Sequence, residues 1–61
     1  MQELKKLRLA TGMRQEDLAE KLGVSRSTVT CWELGTNKPT ADMLVKLSNL
    51  FNCSIHNLLR N

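Results

Sequence analysis

The segment from Gln15 to Gly35 does most to narrow what this 61-residue chain can fold into. It reads as two short helices around a tight turn. The first runs from Gln15 to Leu22, with Leu18, Ala19 and Leu22 on one face at i, i+1 and i+4. Gly23 then stands where a left-handed residue ends a helix, a conformation that carries no steric cost without a Cβ. Val24 turns inward, and Ser25 is placed to cap a second helix by accepting a free N–H of its first turn. That helix buries Val29, Trp32 and the stem of Glu33. At about 100° per residue, Ser27, Cys31 and Leu34 point the opposite way, with Arg26 and Thr30 on one flank and Thr28 on the other. The outward N-terminal face is short, polar and basic, and it carries no carboxylate. A helix of that kind fits a DNA major groove.

The register Arg14-Gln15-x-x-Leu18-Ala19-x-x-Leu22-Gly23-Val24-Ser25-x-x-x-Val29-x-x-Trp32-Glu33-x-Gly35-x-x-x-Pro39 resembles the helix-turn-helix family of lambda repressor, Cro and the Xre-type regulators. The match extends to both sides and covers nearly the whole chain. The resemblance implies an all-α, five-helix, lambda-repressor-like single domain over residues 1–61. It implies a sequence-specific transcriptional regulator of repressor type that sets its third helix into the major groove of a pseudo-palindromic double-stranded operator.

Site roles follow from the same resemblance. Gln15 resembles the family glutamine that bridges a phosphate and the first recognition residue, and its backbone N–H lies at a helix N-terminus, a good phosphate site. Arg26, Ser27 and Cys31 occupy base-reading positions, with Thr30 beside them, and Gln15 joins that base-reading set. Family members often carry glutamines there, so this chain's operator differs. Arg26 either reads guanine through O6 and N7 or grips a phosphate. Arg14, Thr28, Thr36, Asn37 and Lys38 are the further phosphate candidates. Arg8 is either a surface arginine or, as in many members, the partner of Glu33, a pairing suited to a planar guanidinium. Ile55, His56 and Leu59 fall at the dimer contact, which is small enough to imply a homodimer that is weak in solution and firmer on DNA.

The flanking segments read as further helices. Helix one spans Met1 to Thr11, with Leu4, Leu7 and Ala10 as its inward stripe, Lys5 and Lys6 solvated and Leu9 off the stripe. It lacks a clear N-cap; Gly12 ends it and Met13 packs inward. Thr36-Asn37-Lys38-Pro39 is a loop by composition. Thr40 caps a helix from Ala41 to Phe51, where Ala41, Leu44, Leu47, Ser48 and Phe51 share a face. Asn52 stands where the family usually has glycine and suits a left-handed position. Cys53 points inward where the family prefers valine, and Ser54 caps a last short helix with Ile55, Leu58 and Leu59 as its apolar set.

Composition excludes several alternatives. Trp32 and Phe51 are the sole aromatics, yet 41% of residues are hydrophobic, enough for a small helical core. Such a chain buries only about 60% of its unfolded surface. Nine basic against six acidic residues give +3, which fits a polyanion partner. Glu16, Asp17 and Glu20 sit on the motif's first helix, whereas Arg14, Arg26 and Lys38 lie at helix starts and in the loop. Cys31 and Cys53 have no CxxC partner and a single histidine completes no zinc set, so two free thiols in a reducing cytoplasm are expected, with no metal and no cofactor. No signal peptide or membrane-spanning run is evident, and a cytoplasmic location is expected. His56 has no nucleophile or orienting partner, no carboxylates pair in a pocket and no glycine-rich loop follows a strand, so enzymatic activity and a small-molecule ligand are not expected. Trp32 follows Val29 on the core side and reads as core rather than as a stacking platform. Cys31 is a small neutral residue, a thymine-methyl contact or a redox-sensitive thiol. Two other classes compete: an antitoxin or other protein-interaction module on the same bundle, and a purely structural bundle. Steep salt dependence separates DNA binding from an apolar protein contact.

Overall fold

The computed structural model describes residues 1–60. They form α1 (Gln2–Ala10), α2 (Gln15–Leu22), α3 (Arg26–Leu34), α4 (Ala41–Phe51) and α5 (Ile55–Leu58), with no strand among the described residues. The architecture is the expected all-α, five-helix one. No helix is long and apolar enough to cross a membrane.

One local device is used repeatedly. The residue after each of the first four helices, or one further on, is left-handed: Gly12 at φ +75°, Gly23 at +73°, Gly35 at +84° and Asn52 at +52°. The N–H of the next residue then reaches back five positions. Met13 donates to Arg8 O (3.2 Å), Val24 to Ala19 O (3.0 Å), Thr36 to Cys31 O (3.0 Å) and Cys53 to Ser48 O (3.0 Å). This is the Schellman closure, which satisfies carbonyls that a helix end leaves free. Met13, Val24 and Cys53 then pack against the core. Thr36, at the end of α3, is the exception and lies exposed.

Helix starts are equally regular. Ser25, Thr40 and Ser54 each accept the N–H three residues on, from Thr28 (3.2 Å), Met43 (3.3 Å) and Asn57 (3.1 Å). At α2 the cap residue is Arg14, whose side chain has no acceptor. Asp17 supplies the other half of a capping box, accepting the Arg14 backbone N–H at 3.0 Å. Three connections are therefore the same three residues in kind: left-handed, apolar inward, cap. Only the α3–α4 loop departs from this pattern, and its Pro39 is buried.

The core gathers Leu4, Leu18, Ala19, Leu22, Val29, Trp32, Leu47 and Leu58, with Met1, Leu7, Met13, Val24, Met43, Phe51 and Cys53 packed against it. α2 packs on α3, α4 on α5, and α1 on both α3 and α5. Two expected stripes need correction. In α1 the buried pair is Leu4 and Arg8, while Ala10 is exposed. Four residues advance about 40° past a full turn, but six leave Ala10 about 120° away. In α4, Ala41 is exposed and Met43 takes its place against the core, for the same reason counted back from Leu47. In α5 only Leu58 is buried; Ile55 and Leu59 are exposed.

Gly23 isolates the backbone contribution to this design. A Cβ built there meets nothing within 4 Å, so any cost of substitution comes from φ rather than collision. Gly23→Ala is expected to destabilise by about 1–2 kcal/mol in urea melts, and Gly23→Asn by clearly less, because asparagine tolerates the left-handed region. Equal losses would mean that this turn is not what the substitution strains.

Candidate nucleic-acid interface

The site is organised around a buried carboxylate. Glu33 lies near the end of α3 and Arg8 in α1, with side chains only 4% and 8% exposed. Arg8 Nε donates to Glu33 Oε2 at 2.6 Å and Arg8 Nη2 to Oε1 at 3.1 Å. Arg8 Nη1 donates to the Met13 carbonyl at 2.9 Å, so the same guanidinium also holds the α1–α2 turn. Gln15, the first residue of α2, adds a third helix: its Nε2 donates to Glu33 Oε1 at 3.0 Å. Thr30 Oγ1, one turn before Glu33's neighbourhood on α3, lies 2.9 Å from Gln15 Oε1 and 3.1 Å from the Arg26 carbonyl. The four side chains form one chain of hydrogen bonds, and no buried side-chain polar atom is left without a partner among the described residues.

Burial pushes the Glu33 carboxyl up, but hydrogen bonds from Arg8 and Gln15 and the charges of Arg8 and Lys5 outweigh it, leaving the group below its ordinary value of 4.5. A folded-state value lowered in this way stabilises the fold above the unfolded value and loses that contribution as pH falls through the folded one. Stability is therefore expected to decline as pH drops below about 4.5, and Glu33→Gln should flatten that part of the acid limb. At neutral pH, Arg8→Met and Glu33→Gln should each cost roughly 3–5 kcal/mol, because each leaves a buried group without its partner. The double variant should cost far less than their sum. Urea melts of the three variants across pH check both statements; additive, sub-kcal effects would reduce the pair to a surface contact.

Outside this anchor, α3 presents its polar face. Arg26 and Ser27 are exposed, and Thr28, Thr30 and Cys31 are half-buried. Ser25 Oγ lies 2.8 Å from Thr28 Oγ1 and 3.1 Å from Ser27 Oγ, so the cap ties the first-turn hydroxyls together. Cys31 is less open than its angular position suggests. At the far end of the same stripe Leu34 is 76% exposed, the most open large apolar residue. Its place on the stripe is legible at seven residues from Ser27, but the degree of exposure is not.

A surface hollow brings Arg14, Gln15, Glu16 and Arg26 together with Gly12 and Met13. Arg14 is engaged at its edge by Asp17, at 3.1 Å, and Glu16, at 2.9 Å. Hydrogen bonds from Arg14 hold the Asp17 carboxyl below its usual range. Thr36, Asn37 and Lys38 are exposed in the loop after α3. A second hollow joins Asn37 and Lys38 to Leu59 of the α5 end. His56 is exposed, and among the described residues no cluster of His, Cys, Asp or Glu could hold a metal. Both cysteines are free, and burial, with Glu3 nearby, pushes the Cys53 thiol up, which favours its protonated form.

The comparisons with known proteins agree with this geometry. The helix-turn-helix family profile HTH_3 matches residues 4–58. The chain is 37% identical over 57 residues to YqaE, an uncharacterized HTH-type transcriptional regulator of Bacillus subtilis (strain 168), covering 93% of this chain and 49% of the relative. It is 38% identical over 58 residues to the HTH-type transcriptional activator BcrR of Enterococcus faecalis, covering 95% of this chain and 28% of the relative. An uncharacterized HTH-type transcriptional regulator of Archaeoglobus fulgidus is 36% identical over 55 residues, covering 90% of this chain and 79% of the relative. The chain thus spans about half of YqaE and less of BcrR. No solved structure gave a significant match. On the family match and the five-helix architecture together, this chain belongs to the non-enzymatic Xre/Cro-type helix-turn-helix family.

Proposed function

We propose that this chain is a sequence-specific DNA-binding transcriptional regulator, acting as a repressor, that sets α3 into the major groove of a pseudo-palindromic operator. The observation that carries the reading is the outer face at the start of α3. Arg26 and Ser27 stand exposed there, on a helix face without a carboxylate, beside a hollow that collects Arg26, Arg14, Gln15 and the Arg14-paired Glu16. Gln15, Arg26, Ser27, Thr30 and Cys31 are the proposed base-reading set, with Leu34 extending the stripe of Ser27 and Cys31 toward thymine methyl groups. Gln15, Arg14 and Thr28 meet phosphates near the start of α3, and Thr36, Asn37 and Lys38 meet them beyond its end. The free N–H groups of the first turn of α2 favour an anion in the same place.

Selection of duplexes from a random pool, followed by titration of variants at two salt concentrations, tests this reading. Arg26→Ala should cost about 1–3 kcal/mol on the selected site and relax preference at one base pair per half-site. Lys38→Ala should weaken selected and scrambled duplexes alike and lower the salt slope by roughly one. If Arg26→Ala lost affinity equally on all sequences, Arg26 would be a phosphate clamp. If neither variant changed affinity, a protein-interaction role would replace the DNA-binding one.

Assembly follows from the α5 end. Leu58 fills the core while Ile55 and Leu59 stay exposed beside His56, an apolar patch too small for a tight dimer. Leu59 shares a hollow with Asn37 and Lys38, so a dimer contact there would sit next to the phosphate loop. The free protein is expected to be monomeric at micromolar concentration and to bind a palindromic duplex two to one. Sedimentation of the free protein and of the complex decides; a stable free dimer or a one-to-one complex would contradict it.

A further inference from the structure

Gln15 Nε2 must face Glu33. An ionised carboxylate only accepts hydrogen bonds, so the reversed amide would set two acceptors against each other. Glu33 is already bonded twice by Arg8, at 2.6 and 3.1 Å, which keeps it in that acceptor role. The amide oxygen therefore faces away from Glu33, and there Thr30 Oγ1 meets it at 2.9 Å. The hydroxyl has one proton and two acceptors in range, Gln15 Oε1 and, at 3.1 Å, the Arg26 carbonyl of its own helix. The bond to Gln15 is the shorter and ties α3 to α2.

We infer that Thr30 is a positioning residue for Gln15 rather than a reader of bases, locking the glutamine amide in the orientation that leaves one N–H free for the duplex. The inference rests on the DNA-binding reading above and deepens it. With its oxygen oriented by Thr30 and one hydrogen given to Glu33, Gln15 keeps its second amide hydrogen as its one free donor. That hydrogen belongs to a residue lining the same hollow as Arg14 and Arg26. A free donor in a hollow lined by Arg14, Arg26 and the Arg14-paired Glu16 takes an oxygen acceptor, here a backbone phosphate that displaces Glu16 from Arg14. Thr30 thus contributes to DNA binding through another side chain, and the groove-reading set contracts to Arg26, Ser27 and Cys31.

Thr30→Val tests this, because valine keeps the β-branched shape on the helix and removes only the hydroxyl. In the free protein, the two side-chain amide hydrogens of Gln15 should give separate, slowly exchanging NMR signals. Thr30→Val should draw them toward the positions of exposed glutamines, and Thr30→Ser should restore them. On the selected operator, Thr30→Val should bind roughly three- to tenfold more weakly, about what one ordinary hydrogen bond contributes. That loss should fall on all duplexes alike and vanish in a Gln15→Ala background. Unchanged Gln15 signals in Thr30→Val would overturn the inference. So would a loss that persists in full in the Gln15→Ala background, or one confined to a single base pair, since either marks direct contact. If the wild type bound no duplex, the DNA reading would fail while the NMR comparison still decided how Gln15 is held.

Discussion

The bond between Arg8 and Glu33 is where this small bundle departs from a simple apolar core. It buries two charges in a domain with few large side chains, and such charges cost stability unless every donor and acceptor is met. Here they are met: three nitrogens of Arg8 are used and both oxygens of Glu33 are bonded. Apolar packing of Val29 and Trp32 presses α3 onto the core but leaves its rotation about its own axis loosely defined, because hydrophobic contact has no direction. A planar fork gripping a carboxylate does have direction. The angle at which Arg26 and Ser27 leave the surface is therefore fixed from behind, by groups almost wholly withdrawn from solvent.

Much of this was legible in the sequence, for identifiable reasons. The bounds of α2 and α4 follow from chemistry written into single residues: Gly23, Thr40 and Asn52 admit few other roles. The inward faces were harder. Counting by threes put Ala10 and Ala41 inside, whereas the true repeat of 3.6 drifts off that count and favours Arg8 and Met43. A buried arginine also defeats any reading that equates inward with apolar. The pairing of Arg8 with Glu33 is implied by the family register alone. The parts played by Gln15 and Thr30 in the same network are not, since they depend on how closely α2 crosses α3. Periodicity gives the face of a helix, but the openness of Leu34 and the partial cover of Cys31 depend on what the following loop leaves uncovered.

The cationic groups near the proposed DNA surface are held in different ways. Arg14 shares its charge with Glu16 and Asp17 on an exposed surface, where such pairs are weak and readily exchanged for a stronger anion. Lys38 and Arg26 are exposed and take part in no salt bridge among the described residues. A phosphate approaching α2 therefore competes with two carboxylates, and one approaching the loop does not. On the proposed DNA reading, the acidic residues of α2 would act as a local counterweight to indiscriminate attachment, while the outer face of α3 carries no carboxylate.

The three matching turns carry a consequence for how the chain finds its fold. Each needs only three or four residues to reverse direction, so neighbouring helices meet almost as soon as they form, and little chain entropy is lost in closing the loops between them. Proteins built mainly from such local contacts collapse to their native topology on the microsecond-to-millisecond scale. The closures that are not local all bring α1 to distant chain: residue 8 to residue 33, residue 1 to residue 32, and α1 onto α5. The search for the native state should therefore be dominated by the docking of the first helix, with the two-helix motif assembling ahead of it as an early and nearly autonomous unit.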